Sequence, residues 1–174
     1  MPFMLATEIR SAADDEAAAI ATVWHDAWQD TYAGLLPPSL APHRTIDYFR
    51  REVGRHLEHA LVVTSGGRIA GFSAVAGDEL SHFYLAPWAR GRGVAGRLLR
   101  STEERLEAGG TSEAFLLCVR GNERARRFYE RMGWRDDGLL PHAIAVSDGI
   151  LEVEAHRLVK SLGRAAEPLR RSVR

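Results

Sequence analysis

The sequence predicts an α/β (α+β mixed) fold, a mixed central sheet with helices on both faces. Three observations predict it. The runs Ala60–Thr64 and Ile69–Val75 flank Ser65-Gly66-Gly67-Arg68, the signature of a β-hairpin. Leu80–Leu85, a helical pattern over 92–108 and the run Ala114–Val119 make a strand–helix–strand crossover, whose two strands run parallel. Two further helical patterns precede the hairpin.

In chain order, residues 13–28 read as a first helix. Asp14, Asp15 and Glu16 suit its positive N-terminal end, and Ile20, Val23, Trp24 and Ala27 recur at helical spacing. Residues 29–45, with Gly34 and Pro37-Pro38, read as a connection, and 45–57 as a second helix with Ile46, Phe49 and Val53 on one side. The hairpin and the strand Leu80–Leu85 follow. The helix over 92–108 buries Val94, Leu98 and Leu99 and stops at Gly109-Gly110. Ala114–Val119 is almost continuously apolar, which predicts a strand buried on both faces. A helix over 123–132 and a last strand near 151–159 complete the series. Residues 1–160 are expected to form one domain, and 161–174, with Arg170, Arg171 and Arg174, a flexible basic tail.

The 174 residues suit a single domain with a core of its own, and 45% hydrophobic and 26% charged residues are ordinary for a globular protein. Lysine plus arginine equals aspartate plus glutamate at 23 each, which argues against nucleic acid as partner. The charge is uneven: residues 88–135 hold 11 arginines against 6 acidic residues, which suits an anionic ligand there. A single cysteine, Cys118, excludes a disulfide framework and a cysteine zinc site, and mid-strand it reads as a buried thiol. No metal is implied. Met1–Leu5 lacks the features of a signal peptide, and no apolar run reaches the ~18 residues of a spanning helix, so a cytoplasmic location away from membranes is expected.

The turn Arg90-Gly91-Arg92-Gly93-Val94-Ala95-Gly96-Arg97 leaves a strand and enters a helix. Free N–H groups at a helix start attract anions, and glycines let a phosphate approach the backbone. The letters Gly-x-Gly-x-x-Gly also match a dinucleotide fingerprint. That reading lacks its acidic residue after the next strand, and the remaining chain is too short for the rest of such a fold. A P-loop fails at Gly96-Arg97-Leu98. A second motif runs from Asn122, a good N-cap, through Ala125, Phe128-Tyr129 and Met132 on one helix face to Gly133-Trp134.

Arg90-x-x-Gly93-x-Ala95 followed about 30 residues later by Asn122…Ala125…Phe128-Tyr129…Gly133 resembles the two signatures of the GCN5-related N-acetyltransferases, and the likeness covers 79–135. The resemblance implies a mostly antiparallel sheet with a splayed parallel strand pair, acetyl-coenzyme A as cosubstrate and direct attack of a primary amine on the thioester. It implies that the pantetheine arm lies along Tyr84 and Leu85, with Asn122, Ala125 and Phe128 opposite. The pyrophosphate would sit on the turn from Arg90 through Gly91, Arg92, Gly93, Val94, Ala95 and Gly96 to Arg97. It further implies Tyr129 as proton donor to the sulfur, or as the group that holds the sulfur by a hydrogen bond, and Glu79 as base, with His82 a second candidate facing the side of Tyr84. Trp28, Tyr32 and His82 would line the acceptor site, with Asp26 and Asp30 available to an ammonium, whereas Trp24 reads as core. The acceptor, a small amine, a peptide or a protein amino group, stays open. Homodimers are common in the family. A catalytically silent acetyl-coenzyme A sensor is the alternative.

Overall fold

A computed structural model describes residues 6–163. The leader reading at Met1–Leu5 and most of the expected basic tail lie outside the described residues. The elements are β1 (Thr7–Ser11), α1 (Ala17–Tyr32), α2 (Ile46–His56), β2 (Ala60–Ser65), β3 (Arg68–Ala76), β4 (Glu79–Leu85), α3 (Val94–Ala108), β5 (Glu113–Val119), α4 (Glu123–Arg131), β6 (Arg135–Val146) and β7 (Gly149–Ser161). The strands form one sheet in the order β1-β2-β3-β4-β5-β7-β6. Every neighbouring pair is antiparallel except β4–β5, which is parallel as the crossover requires.

Strand alternation assigns the helices to faces. Phe72 of β3 packs on Trp24 of α1, with ring centroids 5.5 Å apart. Its neighbour Ser73 hydrogen-bonds Thr102 of α3 at 2.7 Å, in the buried interior. On β4, Tyr84 meets Trp24, whereas Phe83 stacks on Phe128 of α4. So α1 and α2 cover one face, and α3 and α4 the other. The first face carries a core of Ile20, Trp24, Phe49, Val62 and Phe72; the second carries Leu99, Leu106, Leu116, Tyr129 and Trp134.

The hairpin β2–β3 turns on Gly66 and Gly67, both at positive φ (60° and 77°), as a two-residue loop matched to strand twist demands. Three expectations change. The first helix reaches Tyr32, four residues past its expected end, so Tyr32 sits on regular helix. Two strands were not legible. β1 is a five-residue edge strand whose one apolar residue is Ile9, and β6 holds Gly138 at φ +109° and Pro141, both at home on an edge strand with a register shift. β5 is not buried on both faces: Ala114, Leu116 and Cys118 are buried, while Phe115, Leu117 and Val119 are half-covered, with the Arg157 guanidinium lying over the Phe115 ring. Among the described residues no helix is long and apolar enough to cross a membrane.

Candidate active site

The parallel pair is barely a pair. Glu79 opposite Phe115 is the sole register contact between β4 and β5, braced by the Phe115 N–H donating to the Asp78 carbonyl at 3.1 Å. Beyond it, β4 stays with β3 as far as Leu85 opposite Gly71. β5 stays with β7 as far as Val119 opposite Ala155. The two strands therefore splay, and a cleft of about 250 Å³ opens between them. Its walls come from both faces of the sheet: Tyr32 and Tyr84 on the α1 side, Asn122, Phe128 and Tyr129 on the α4 side, and Arg90 at the mouth. A smaller recess of about 80 Å³ continues inward to Cys118.

The glycine turn sits at one end of this cleft. Gly91 and Gly93 take φ +74° and +73°, and a Cβ at either would meet nothing within 4 Å. Conformation, not crowding, therefore calls for glycine at both. Gly93 is the N-cap of α3 and offers no side-chain cap, so the first N–H groups of that helix stay available to an anion. Gly91 and Ala95 line the cleft. Val94 turns its side chain into the core, and a Cβ at Gly96 would lie 3.8 Å from Met132, so only their backbones face a ligand there. Arg92 is exposed, and the Arg97 guanidinium turns away to the Thr7 carbonyl at 3.2 Å. Arg90 does not wait free in solvent: it forms a short ion pair with Asp30 of α1, which Arg124 of α4 approaches at 3.7 Å. Asp30 therefore ties both walls of the mouth together and is not open to an ammonium. Asp26 is paired with His25.

Tyr129 is placed by its helix. The Asn122 side chain accepts from the Ala125 N–H at 3.4 Å and starts α4. Gly133, at φ +90°, ends it, and Lys160, the single lysine of the chain, donates to the Met132 carbonyl at 2.7 Å and to Glu103 at 2.8 Å. Tyr129 is consequently held among Phe83, Phe128 and Trp134. Burial raises its hydroxyl above the ordinary tyrosine range, with Cys118 and Tyr84 adding to the rise. Burial likewise raises the hydroxyls of Tyr32 and Tyr84. It pushes the Cys118 thiol to about 11, so Cys118 stays a protonated thiol, and its S–H points to the Asn122 carbonyl at 3.7 Å. At neutral pH the cleft thus presents neutral O–H and S–H groups, able to donate and slow to ionise.

The other expected residues divide. Tyr84, Leu85, Arg90, Gly91, Ala95, Asn122, Ala125, Phe128, Tyr129 and Tyr32 come together in the cleft. Trp28 does not. It is 7% exposed and packs between Tyr32 and Phe49 in the core. Glu79 stands at the neck where β4 and β5 still pair, outside the cleft lining. His82 lies on the Tyr84 side, as strand parity requires, but packed against Trp24 and against His56 at 4.2 Å. Burial, with His56 beside it, lowers His82 to about 3 and makes it a weak base. Thr31 and Arg124 line the cleft without having been singled out. Arg124 was findable: it lies in the first turn of α4, two residues after Asn122.

Comparisons with known proteins agree with this geometry. Residues 20–134 match the model of the acetyltransferase (GNAT) family. An uncharacterised N-acetyltransferase of Mycobacterium tuberculosis is 28% identical over 138 residues, 71% of this chain and 84% of the relative. A GCN5-related N-acetyltransferase from Rhodopseudomonas palustris superposes with a TM-score of 0.72 at 18% identity, covering 93% of this chain and 99% of the other. The PaiA N-acetyltransferase from Thermoplasma acidophilum, solved in complex with coenzyme A, gives 0.67 at 20% identity, covering 90% and 99%. With its splayed strands, its glycine turn and its buried tyrosine in register, the chain belongs to the GNAT family of acetyltransferases.

Proposed function

We propose that the protein transfers an acetyl group from acetyl-coenzyme A to a primary amine by direct attack. One observation carries the reading: the β4–β5 splay opens beside an uncapped helix N-terminus, so a thioester arm and an anionic pyrophosphate find adjoining places. Tyr84 and Leu85 supply the strand edge for the arm, Asn122, Ala125 and Phe128 the opposite wall, and the backbone from Arg90 to Arg97 the anion seat. A relative in fold, PaiA, holds coenzyme A.

The amine nitrogen attacks the thioester carbonyl carbon, and the C–S bond breaks. The Tyr129 hydroxyl donates its proton to the departing sulfur and is restored by the proton that the acylated nitrogen sheds. Its raised pKa keeps that proton in place until negative charge develops beside it. The amine must first lose a proton, since an alkyl ammonium titrates near ~10. Glu79 takes it through water from the neck of the cleft, His82 being packed against Trp24 and His56. The acceptor is a small amine, a peptide or a protein amino group, and the reading includes no membrane or nucleic-acid partner.

A second reading has one observation in its favour. No carboxylate lines the cleft among the described residues, as a silent acetyl-coenzyme A sensor would have it. Calorimetric titration with acetyl-coenzyme A, with NAD and ATP as controls, tests both. Micromolar binding of acetyl-coenzyme A alone, followed by thiol release with some amine, is the expected result. Binding without release across a broad amine panel would favour the sensor, and no binding by folded protein would overturn both.

A further inference from the structure

Arg44 is the single charged residue buried among the described ones, at 6% exposure. A buried guanidinium ordinarily meets a carboxylate, because desolvating an unpaired charge is costly. Among the described residues Arg44 meets none within ion-pair distance. Its guanidinium donates to the Ala145 carbonyl at 3.1 Å and lies 4.3 Å over the Tyr48 ring, which uses one of its five N–H groups. Arg44 lines a groove of about 560 Å³ between α2 and the tip of the β6–β7 hairpin. Arg51 and Arg55 line the same groove, as does His43, which shares a hydrogen bond with Ser147 at 3.0 Å. Its one carboxylate, Glu52, pairs with Arg55 at 2.9 Å, so the groove's net positive charge comes from Arg44 and Arg51.

The groove adjoins the cleft. Gln29 of α1, three residues before the cleft residue Tyr32, donates its side-chain N–H to the Arg44 carbonyl at 3.3 Å. Tyr48 touches Phe49, and Phe49 touches Trp24, the ring that backs Tyr84. The groove and the α1 wall of the cleft are therefore neighbours. Resting on the acetyl-transfer reading above, we infer that the acceptor carries an oxyanion, a carboxylate or a phosphate, which the Arg44, Arg51 and Arg55 groove holds while the amine reaches the thioester.

The test uses matched acceptors: an amino acid-like amine with a free carboxylate, its carboxamide, and the corresponding phosphate ester. Thiol release by wild type should give kcat/KM at least about tenfold higher for an anionic acceptor than for the amide, and which anion leads names its source. Arg51→Ala/Arg55→Ala should bring that ratio close to one, with turnover of the amide and affinity for acetyl-coenzyme A unchanged. Arg44→Lys, which keeps the charge but loses the planar fork, should lower the ratio in part. A second arm needs no turnover. Inorganic phosphate and acetate, titrated at constant ionic strength into protein loaded with coenzyme A, should raise Tm saturably in wild type and not in the double variant. Equal rates for acid and amide in wild type, or a ratio kept by the double variant, would overturn the inference and leave Arg44 as a brace for the hairpin. Saturable stabilisation without turnover of any anionic amine would overturn the acceptor assignment and mark a free-anion site. Loss of acetyl-coenzyme A binding would sink the acetyl-transfer reading instead, while the anion titration still reported on the groove.

Discussion

Two regions of the molecule present positive charge, and they are built from opposite materials. At the start of α3 the charge is backbone: two glycines at left-handed φ and an uncapped helix end. At the start of α2 it is side chain: one buried guanidinium, stacked on Tyr48, with two exposed arginines around it. A backbone site tolerates changes of nearby side chains but not a Cβ in the wrong place. A side-chain site behaves the other way round. The first kind suits a ligand part that never varies, the second a part that differs from one acceptor to the next.

The sharpest way to break this contrast is Gly93→Val. A β-branched residue at φ +73° is strained by more than the ~1–2 kcal/mol of an ordinary left-handed residue, so the turn must move. Calorimetry should show acetyl-coenzyme A binding weakened by at least about tenfold, while Arg92→Ala costs only a few-fold. Equal losses in the two variants would mean that side chains, not backbone, make this end.

Next in size is Tyr129→Phe, which leaves the cofactor seat intact and removes one proton donor. It should lower kcat by roughly tenfold with the Kd for acetyl-coenzyme A almost unchanged. A parallel fall in affinity would recast Tyr129 as a binding group.

A smaller effect concerns the packed side of β4. His82 titrates near 3 when folded, against an ordinary 6.5, so between those values the unfolded chain binds the extra proton. Its contribution to stability is full above about 6.5 and falls away as the pH drops toward 3. Urea melts at neutral and acid pH should show wild type losing more stability than His82→Leu across that window. Parallel losses would mean that His82 already takes up its proton in the folded protein.

The smallest effect is expected of Cys118→Ala. The thiol near 11 stays protonated, so kcat should change by less than about twofold. Rapid reaction of native protein with a disulfide reagent would contradict the buried, protonated thiol.

These differences also explain what was legible in the residues. The glycine turn and the helix from Asn122 to Gly133 are local: spacing within fifteen residues decides their form, and both stand where the sequence puts them. The α2 groove joins Arg44 to Ala145, 101 residues away, and no local pattern announces it. The Asp30–Arg90 tie spans 60 residues and turned a residue read as open to an ammonium into a clasp across the cleft mouth. Trp24, Trp28 and Tyr32 share one helical stripe, and periodicity treats them alike. Only the place where β4 leaves β5 makes Tyr32 a wall and Trp28 core. β6 was hidden for a different reason: its Gly138 and Pro141 read as loop, and an edge strand admits both.

The lone Glu79–Phe115 contact has a mechanical consequence. The sheet is two plates, β1–β4 and β5–β7–β6, joined in hydrogen bonding by a narrow neck. A ligand laid along Tyr84 and Leu85 acts as a splint between them, so ordering of the plates and occupancy of the gap are one linked equilibrium. Amide exchange records it directly: slowing on ligand addition should run along both rims, from Tyr84 to Leu85 and from Leu117 to Val119, and fade toward the neck, where the plates are already held.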